Sequence, residues 1–296
     1  MPELPEVQTT AAGLNKIIEG ISPKPSIVDV WTDYKSPYFK GSGTIKDPAY
    51  FTRFKKEVKG KTITHVTRRA KNVLIHLAGN LTILVHMKMT GHLLYGDYDR
   101  SDLFNRFIHL IFYLSNGKNI ELCDARKFAK VTLVKTGEMH LSEHLENLGP
   151  EPLEKAFTFS VFKNRITLGK SKKIKPVLTD QVIIAGIGNI YADESLWLAG
   201  IHPEEIVENI PAEKLKKLFS AIKTLLARGI DFGGDSMSDY RNIHGKPGKF
   251  QEQHQAYRKT GKKCSKKGCR GFITRIVVAG RGTHFCPIHQ ALEKRK

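Results

Sequence analysis

Val7, Ala11, Leu14 and Ile18 recur at spacings of four, three and four, which is one apolar stripe along a helix. Pro5 suits a first helical turn. Glu3 and Glu6 suit the positive end of the helix dipole, and Gly20 is placed to close the helix. The opening therefore leads directly into a packed helix rather than a loose tail. From about 26 to 135 the period shortens to two. KTITHVTRR, NVLIHLA, LTILVHM, RFIHLIFYL, KNIELCD and AKVTLVK are short runs rich in β-branched and aromatic residues, and Asn116-Gly117 between two of them signals a hairpin. Strands at this spacing predict a sandwich or barrel.

Near 136–152 the pattern breaks, and LGPEPL reads as a linker. Helical periodicity follows over about 153–166, 174–184, 189–199 and 211–229. A Gly/Ser/polar stretch, 233–262, reads as a long mobile loop, and a compact unit ends the chain. The expected division is 1–135, a β-sandwich domain; 136–152, a linker; 153–232, a helical domain; 233–262, the loop region; and 263–296, a terminal unit. There is no internal repeat and no low-complexity segment.

A chain of 296 residues is long enough for one large domain or two. No apolar run reaches membrane-spanning length and the start lacks a signal-peptide stretch, so the expectation is a cytoplasmic protein without a membrane partner. Charge changes the picture more. Lys and Arg total 48 against 29 Asp and Glu, a net +19, and residues 241–296 hold fifteen of the cations with only two Glu. Such a block points to a polyanion, nucleic acid before anionic membrane or acidic protein. A solvated basic tail is the plainer alternative, but apolar runs and cysteines interrupt the block.

Three of the four cysteines cluster there. Cys264, Cys269, Cys286 and His289 fit C-x4-C-x16-C-x2-H, two close pairs that suit one tetrahedral Zn²⁺. Between them, FITRIVVAGRGTHF reads as a hairpin with Arg281 at its tip. So small a unit buries too little core alone, and a metal would supply its stability. Free thiols in a hairpin are the alternative. Upstream, Gly186-Ile187-Gly188 joins two helical stretches, with Asn189 at the next helix start. Backbone amides there suit a phosphate, though a bare glycine turn is equally a structural feature. Tyr191, Leu196 and Trp197 read as core.

These stretches, in order, resemble the formamidopyrimidine-DNA glycosylase/endonuclease VIII family across essentially the whole chain: PELPEV, RRAKNVLI, MTG, DARKF, LGPEPL, AGIGNIYADE and VVAGRGTHFC. The resemblance implies an α+β protein of two domains. The first is a helix-capped β-sandwich. The second is a helix–two-turns–helix domain with a zinc-finger hairpin, and DNA lies in the cleft between them. It implies a bifunctional DNA glycosylase and abasic-site lyase that acts as a monomer on double-stranded DNA carrying oxidised bases or abasic sites, in a bacterial cytoplasm and nucleoid or a nucleus. Pro2, freed of Met1, would be the nucleophile. A secondary amine condensed at C1′ gives a permanently cationic iminium that drives strand elimination. Glu3 would be the acid/base residue, Glu6 would orient the site, and Lys71 would reach the nucleophile and a phosphate. Met89, Arg126 and Phe128 would fill the gap left by an extruded base. Asn189 and Arg281 would grip phosphates, and 233–250 would read the lesion.

Leu4 favours the formamidopyrimidine branch, which removes oxidised purines such as 8-oxoguanine, because the oxidised-pyrimidine branch typically has glycine there. The chain departs from the family pattern at His289, where a fourth Cys is usual, in the wider Cys264–Cys269 spacing, and at Ala129, where glycine is usual. An oxidised-pyrimidine enzyme, a silent DNA binder on the same scaffold and an RNA-associated finger protein remain as alternatives. Pro2 and Glu3 together argue against the last two.

Overall fold

The computed structural model describes residues 1–34 and 43–292, so the last four positions of the basic end lie outside the described residues. The chain forms two compact units. One is Met1–Glu146 with Phe232–Lys249, and the other is Asn147–Asp231 with the chain from Phe250 on.

In the first unit, helix α1 (Leu4–Glu19) precedes β1 (Ile27–Thr32) and α2 (Pro48–Val58). Seven strands follow: β2 (Ile63–Arg69), β3 (Asn72–Leu77), β4 (Leu81–His86), β5 (Gly91–Tyr95), β6 (Ile108–Leu114), β7 (Asn119–Asp124) and β8 (Lys130–Lys135). They build two antiparallel four-stranded sheets, ordered β1-β6-β7-β5 and β2-β3-β4-β8. The expected stripe of Val7, Ala11, Leu14 and Ile18 is fully buried in one core with Val66, Val73, Ile75 and Val85 of one sheet and Leu93, Leu110, Phe112 and Leu122 of the other. Burying each large aliphatic side chain contributes roughly 1.5–3 kcal/mol, which is why the stripe fixes the helix to the sheets. Asn116-Gly117 turns the β6–β7 hairpin, with Gly117 at φ +76° where a side chain is disfavoured.

The second unit carries α3 (Phe159–Thr167), α4 (Ile174–Thr179), α5 (Asn189–Ala199) and α6 (Ala212–Asp231), then the hairpin β9 (Thr274–Val278) and β10 (Arg281–Phe285). The fold is the expected α+β arrangement.

Local expectations fail in instructive places. Helix α2 stands within the stretch read as β. Its signals are Asp47, whose carboxylate caps the N–H groups of Ala49 and Tyr50, and Pro48 in the first turn. The helix expected over 153–166 starts only at Phe159, after the cap of Thr158. That expected over 174–184 stops at Thr179, because Asp180 turns the chain by accepting from the Val182 and Ile183 N–H groups. Gly20 does close α1 as expected, though in a right-handed conformation at φ −80°. Strand β5, GHLLY, is too short to stand out in the sequence. The 233–262 stretch is irregular as expected, but its side chains are built into the units: Tyr240, Ile243, Phe250 and Ala256 are all buried.

Candidate active site and nucleic-acid interface

Pro2 and Glu3 are buried at the start of α1, while Met1 is 36% exposed. Glu6, one turn on, organises this terminus. One carboxylate oxygen accepts the Glu3 N–H at 2.7 Å, and the other accepts the Asp235 N–H at 2.7 Å. The Glu6 carbonyl accepts from the Tyr240 hydroxyl at 3.0 Å. A Cβ on Gly234 would lie 3.0 Å from the Glu6 side chain, and Gly234 sits at φ +88°, so glycine alone lets this segment close over Glu6. Burial, and then the nearby Glu3 carboxylate, push the Glu6 carboxyl up to about 7. Sequence reasoning gave Glu6 an orienting part; its link to residue 235, across 229 positions, has no sequence signal.

Lys71 is buried at the β2–β3 turn, just after Ala70 at φ 51°. The Gln8 side chain on α1 accepts from Arg68 Nε at 2.9 Å, and Arg68 also holds the Ala70 carbonyl at 3.0 Å. These bonds seat the turn that carries Lys71 beside the first turns of α1.

Two further loops come together in this unit. Met89 stands 44% exposed in the tight turn before β5, where the Gly91 N–H returns to the Met87 carbonyl at 3.0 Å. A Cβ on Gly91 would lie 2.5 Å from that carbonyl, so the MTG glycine is required. Arg126 in the β7–β8 loop reaches the Met89 sulfur at 3.4 Å and lies 4.4 Å above the Phe128 ring. Met89, Arg126 and Phe128 thus form one cluster. Ala129 is buried in the core without strained backbone, so its methyl is accommodated.

In the second unit, Asn189 opens α5 and its side-chain amide donates to the Gly282 carbonyl at 3.0 Å, which brings it beside Arg281. The turn before it is braced by Gln181, which bonds the Gly186 N–H and the Ile187 carbonyl, each at 2.8 Å. Tyr191, Leu196 and Trp197 are core, as expected. The sequence reading overlooked the polar side of α5. Asp193 pairs with Lys175 at 2.5 Å, both almost wholly buried, and accepts the His284 N–H at 2.9 Å. Lys175 also reaches the Gly282 carbonyl and the Thr283 hydroxyl. Glu194 accepts three successive N–H groups, those of Gln255, Ala256 and Tyr257. The available signal was an acidic pair in a helix otherwise mostly apolar.

The sulfurs of Cys264, Cys269 and Cys286 lie within 4.8 Å of one another. Each accepts an N–H: Trp197 Nε1 to Cys264 at 3.4 Å, Gly271 to Cys269 at 3.3 Å, and His289 to Cys286 at 3.4 Å. The Gly271 N–H draws the Cys269 thiol below its ordinary pKa, while burial pushes Cys286 up to about 11. Three converging sulfurs, each with a donor, fit a structural zinc ion in thiolate form. His289 is not within that cluster; its Nε2 meets the Trp197 carbonyl at 2.7 Å.

Comparison with known proteins gives the family of the chain. The chain matches the formamidopyrimidine-DNA glycosylase N-terminal domain over residues 1–131, the H2TH domain of the same enzymes over 148–241, and the zinc finger found in FPG and IleRS over 261–287. It is 38% identical to the formamidopyrimidine-DNA glycosylase of Herpetosiphon aurantiacus, over 98% of this chain and 100% of that one. The Bacillus subtilis enzyme of that name is 36% identical, over 97% of this chain and 98% of that one. A Lactococcus lactis Fpg solved with abasic-site DNA superposes with a TM-score of 0.83 at 33% identity, covering 98% of this chain and 99% of that one. The chain belongs to the formamidopyrimidine-DNA glycosylase family. It carries the family's enzyme activity, a DNA glycosylase joined to an abasic-site lyase.

Proposed function

We propose that this enzyme excises oxidised purines from double-stranded DNA through the nitrogen of Pro2. Once Met1 is removed, Pro2 presents a secondary amine, and an α-amino group titrates near about 8, so a useful fraction is unprotonated at neutral pH. The amine attacks C1′ and the base departs with the glycosidic bonding pair and a proton; the nitrogen gives up its own proton, and its lone pair then breaks the C1′–O4′ bond, with Glu3 supplying the proton to the base or to O4′. The opened sugar is held as an iminium. That cation acidifies the C2′ proton. Loss of the proton expels the 3′ phosphate, a second elimination expels the 5′ phosphate, and water then frees Pro2. Lys71 approaches the nucleophile and a phosphate. Met89 and Phe128 fill the vacated stack while Arg126 bonds the widowed base. Asn189 and Arg281 hold the backbone, and the basic end adds salt-dependent affinity. His289, which stands outside the three-sulfur cluster, would serve as the fourth zinc ligand by swinging its ring toward the sulfurs. Its Nε2 donates to the Trp197 carbonyl, which leaves Nδ1 as the nitrogen with a lone pair. The place of work is the cytoplasm, on the nucleoid.

The observation that carries the reading is the buried Pro2-Glu3 terminus, clamped by Glu6 to the segment at Asp235. Solved Lactococcus lactis relatives hold DNA with Fapy-dG and with an oxidised pyrimidine, which supports a damaged-base substrate and calls for a direct ranking of lesions. The test is borohydride trapping of the iminium on 8-oxoguanine duplex. Native enzyme should give a covalent adduct. Enzyme with one residue added ahead of Pro2 should give neither adduct nor nick while still binding DNA. Undiminished nicking by the extended enzyme would refute the assignment of Pro2.

A further inference from the structure

Asp124, at the end of β7, is fully buried and makes three bonds to parts of the chain distant from one another. One oxygen accepts from the Thr90 hydroxyl. The other accepts the Ala129 N–H at 2.6 Å and the Tyr34 hydroxyl at 3.1 Å. Thr90 directly follows Met89, and Ala129 directly follows Phe128. The circuit closes through the backbone, because the Thr90 oxygen also accepts the Arg126 N–H at 3.2 Å. Lys127, at φ 54°, tightens the loop further, with its N–H on the Asp124 carbonyl at 3.0 Å and its own carbonyl held by Lys46 at 2.6 Å.

None of these bonds uses the side chain of Met89, Arg126 or Phe128; they hold the backbone of the two loops and Thr90. Met89 is exposed and Arg126 and Phe128 face one another, and these side chains are the part of the two loops that the proposed function brings to DNA. A wedge that displaces a base works only if it does not yield when pressed. A buried carboxylate bonded by three donors resists displacement, since moving any one donor away leaves a charged oxygen unsatisfied. Tyr34 is kept a donor, because burial, and then the Asp124 charge, push its phenol far up.

We propose that Asp124 and Thr90 are positioning residues for base extrusion, locking the Met87–Gly91 turn and the 124–129 loop into one rigid wedge. The inference rests on the proposed role of Met89, Arg126 and Phe128. Its consequence is selective. Excision from an intact lesion duplex requires the wedge to drive a stacked base out, whereas cleavage at a pre-formed abasic site has no base to drive.

The test compares single-turnover excision on 8-oxoguanine duplex with cleavage of abasic duplex, for native enzyme, Thr90→Val, Thr90→Ser and Phe128→Ala. Valine keeps the shape and removes the hydroxyl that joins the loops. Loss of that buried bond should slow excision roughly tenfold, change abasic cleavage less than about twofold, and be rescued by serine. Phe128→Ala should slow excision at least as much. If Phe128→Ala spares excision, the wedge reading itself fails. If Phe128→Ala slows excision but Thr90→Val leaves the ratio of the two rates at the native value, by sparing both or depressing both alike, the wedge stands and the inference about Asp124 and Thr90 is overturned.

Discussion

Around Pro2 the polar groups stand beside a core that spans α1 and both sheets, and the Glu6 carboxylate ties the terminus to the segment at Asp235. At the base of the hairpin that carries Arg281 the apolar cluster is small: Trp197, Ala256, Cys264, Ile273 and Cys286. There the polar groups do the holding, with Lys175, Asp193 and Glu194 tying the hairpin and its approach to the helices, and three thiols closing its base. The difference follows from size. A large apolar core supplies enough burial that charged side chains near it are left for chemistry. A hairpin of this length lacks that burial, so charges and a metal become its framework.

The contrast is tested most severely by removing the metal. Chelation should release zinc and unfold the finger, since structural zinc in small modules contributes about 10–16 kcal/mol of apparent binding energy. Circular dichroism should still report an intact β-sandwich. Cobalt substituted for the zinc should give the ligand-field spectrum of three sulfurs and one nitrogen, and His289→Ala should alter it. Next in size is the buried ion pair. Lys175→Met should lower the stability of the second unit by about 3–5 kcal/mol in denaturant melts, because it strands the Asp193 charge. Adding Asp193→Leu should recover part of that loss.

In the first unit the sharpest test is pH. The folded protein retains the Glu6 proton from the ordinary 4.5 up to about 7, a window in which the unfolded chain has released it. This group's stabilisation therefore falls as pH rises through that window, by about 3 kcal/mol in all. Glu6→Gln should flatten that slope in melts followed between those two values. The smallest effect concerns the proposed phosphate contact of Arg281 in the second unit. Arg281→Ala should reduce the salt slope of log DNA affinity by about one, alike for lesion and plain duplex.

What the sequence disclosed divides along the same line. Six strand runs, the stripe of α1, the Asn116-Gly117 turn and the three cysteines were legible because each is a local pattern. Helix α2 was missed because aromatic residues such as Tyr50, Phe51 and Phe54 pass for strand, although Asp47-Pro48 announced its start. The Lys175–Asp193 pair, the Glu6–Asp235 bond and the Asp124 anchor were not legible, because each joins residues whose separation only the fold cancels. His289 shows the same limit at short range. Its spacing marks it as a candidate ligand, but spacing carries no information about which ring nitrogen is available, and the bond from Nε2 to the Trp197 carbonyl leaves that part to Nδ1.

The indole of Trp197, bonded to the Cys264 sulfur, makes the finger visible. The chain has two tryptophans, and the other, Trp31 on β1, is 42% exposed in the first unit. Each unit thus carries its own optical probe. Emission from the buried indole should respond to the state of the neighbouring sulfur, while the exposed one reports on the sandwich. Replacing either with phenylalanine would let the two halves be watched coming apart one at a time, without any added label.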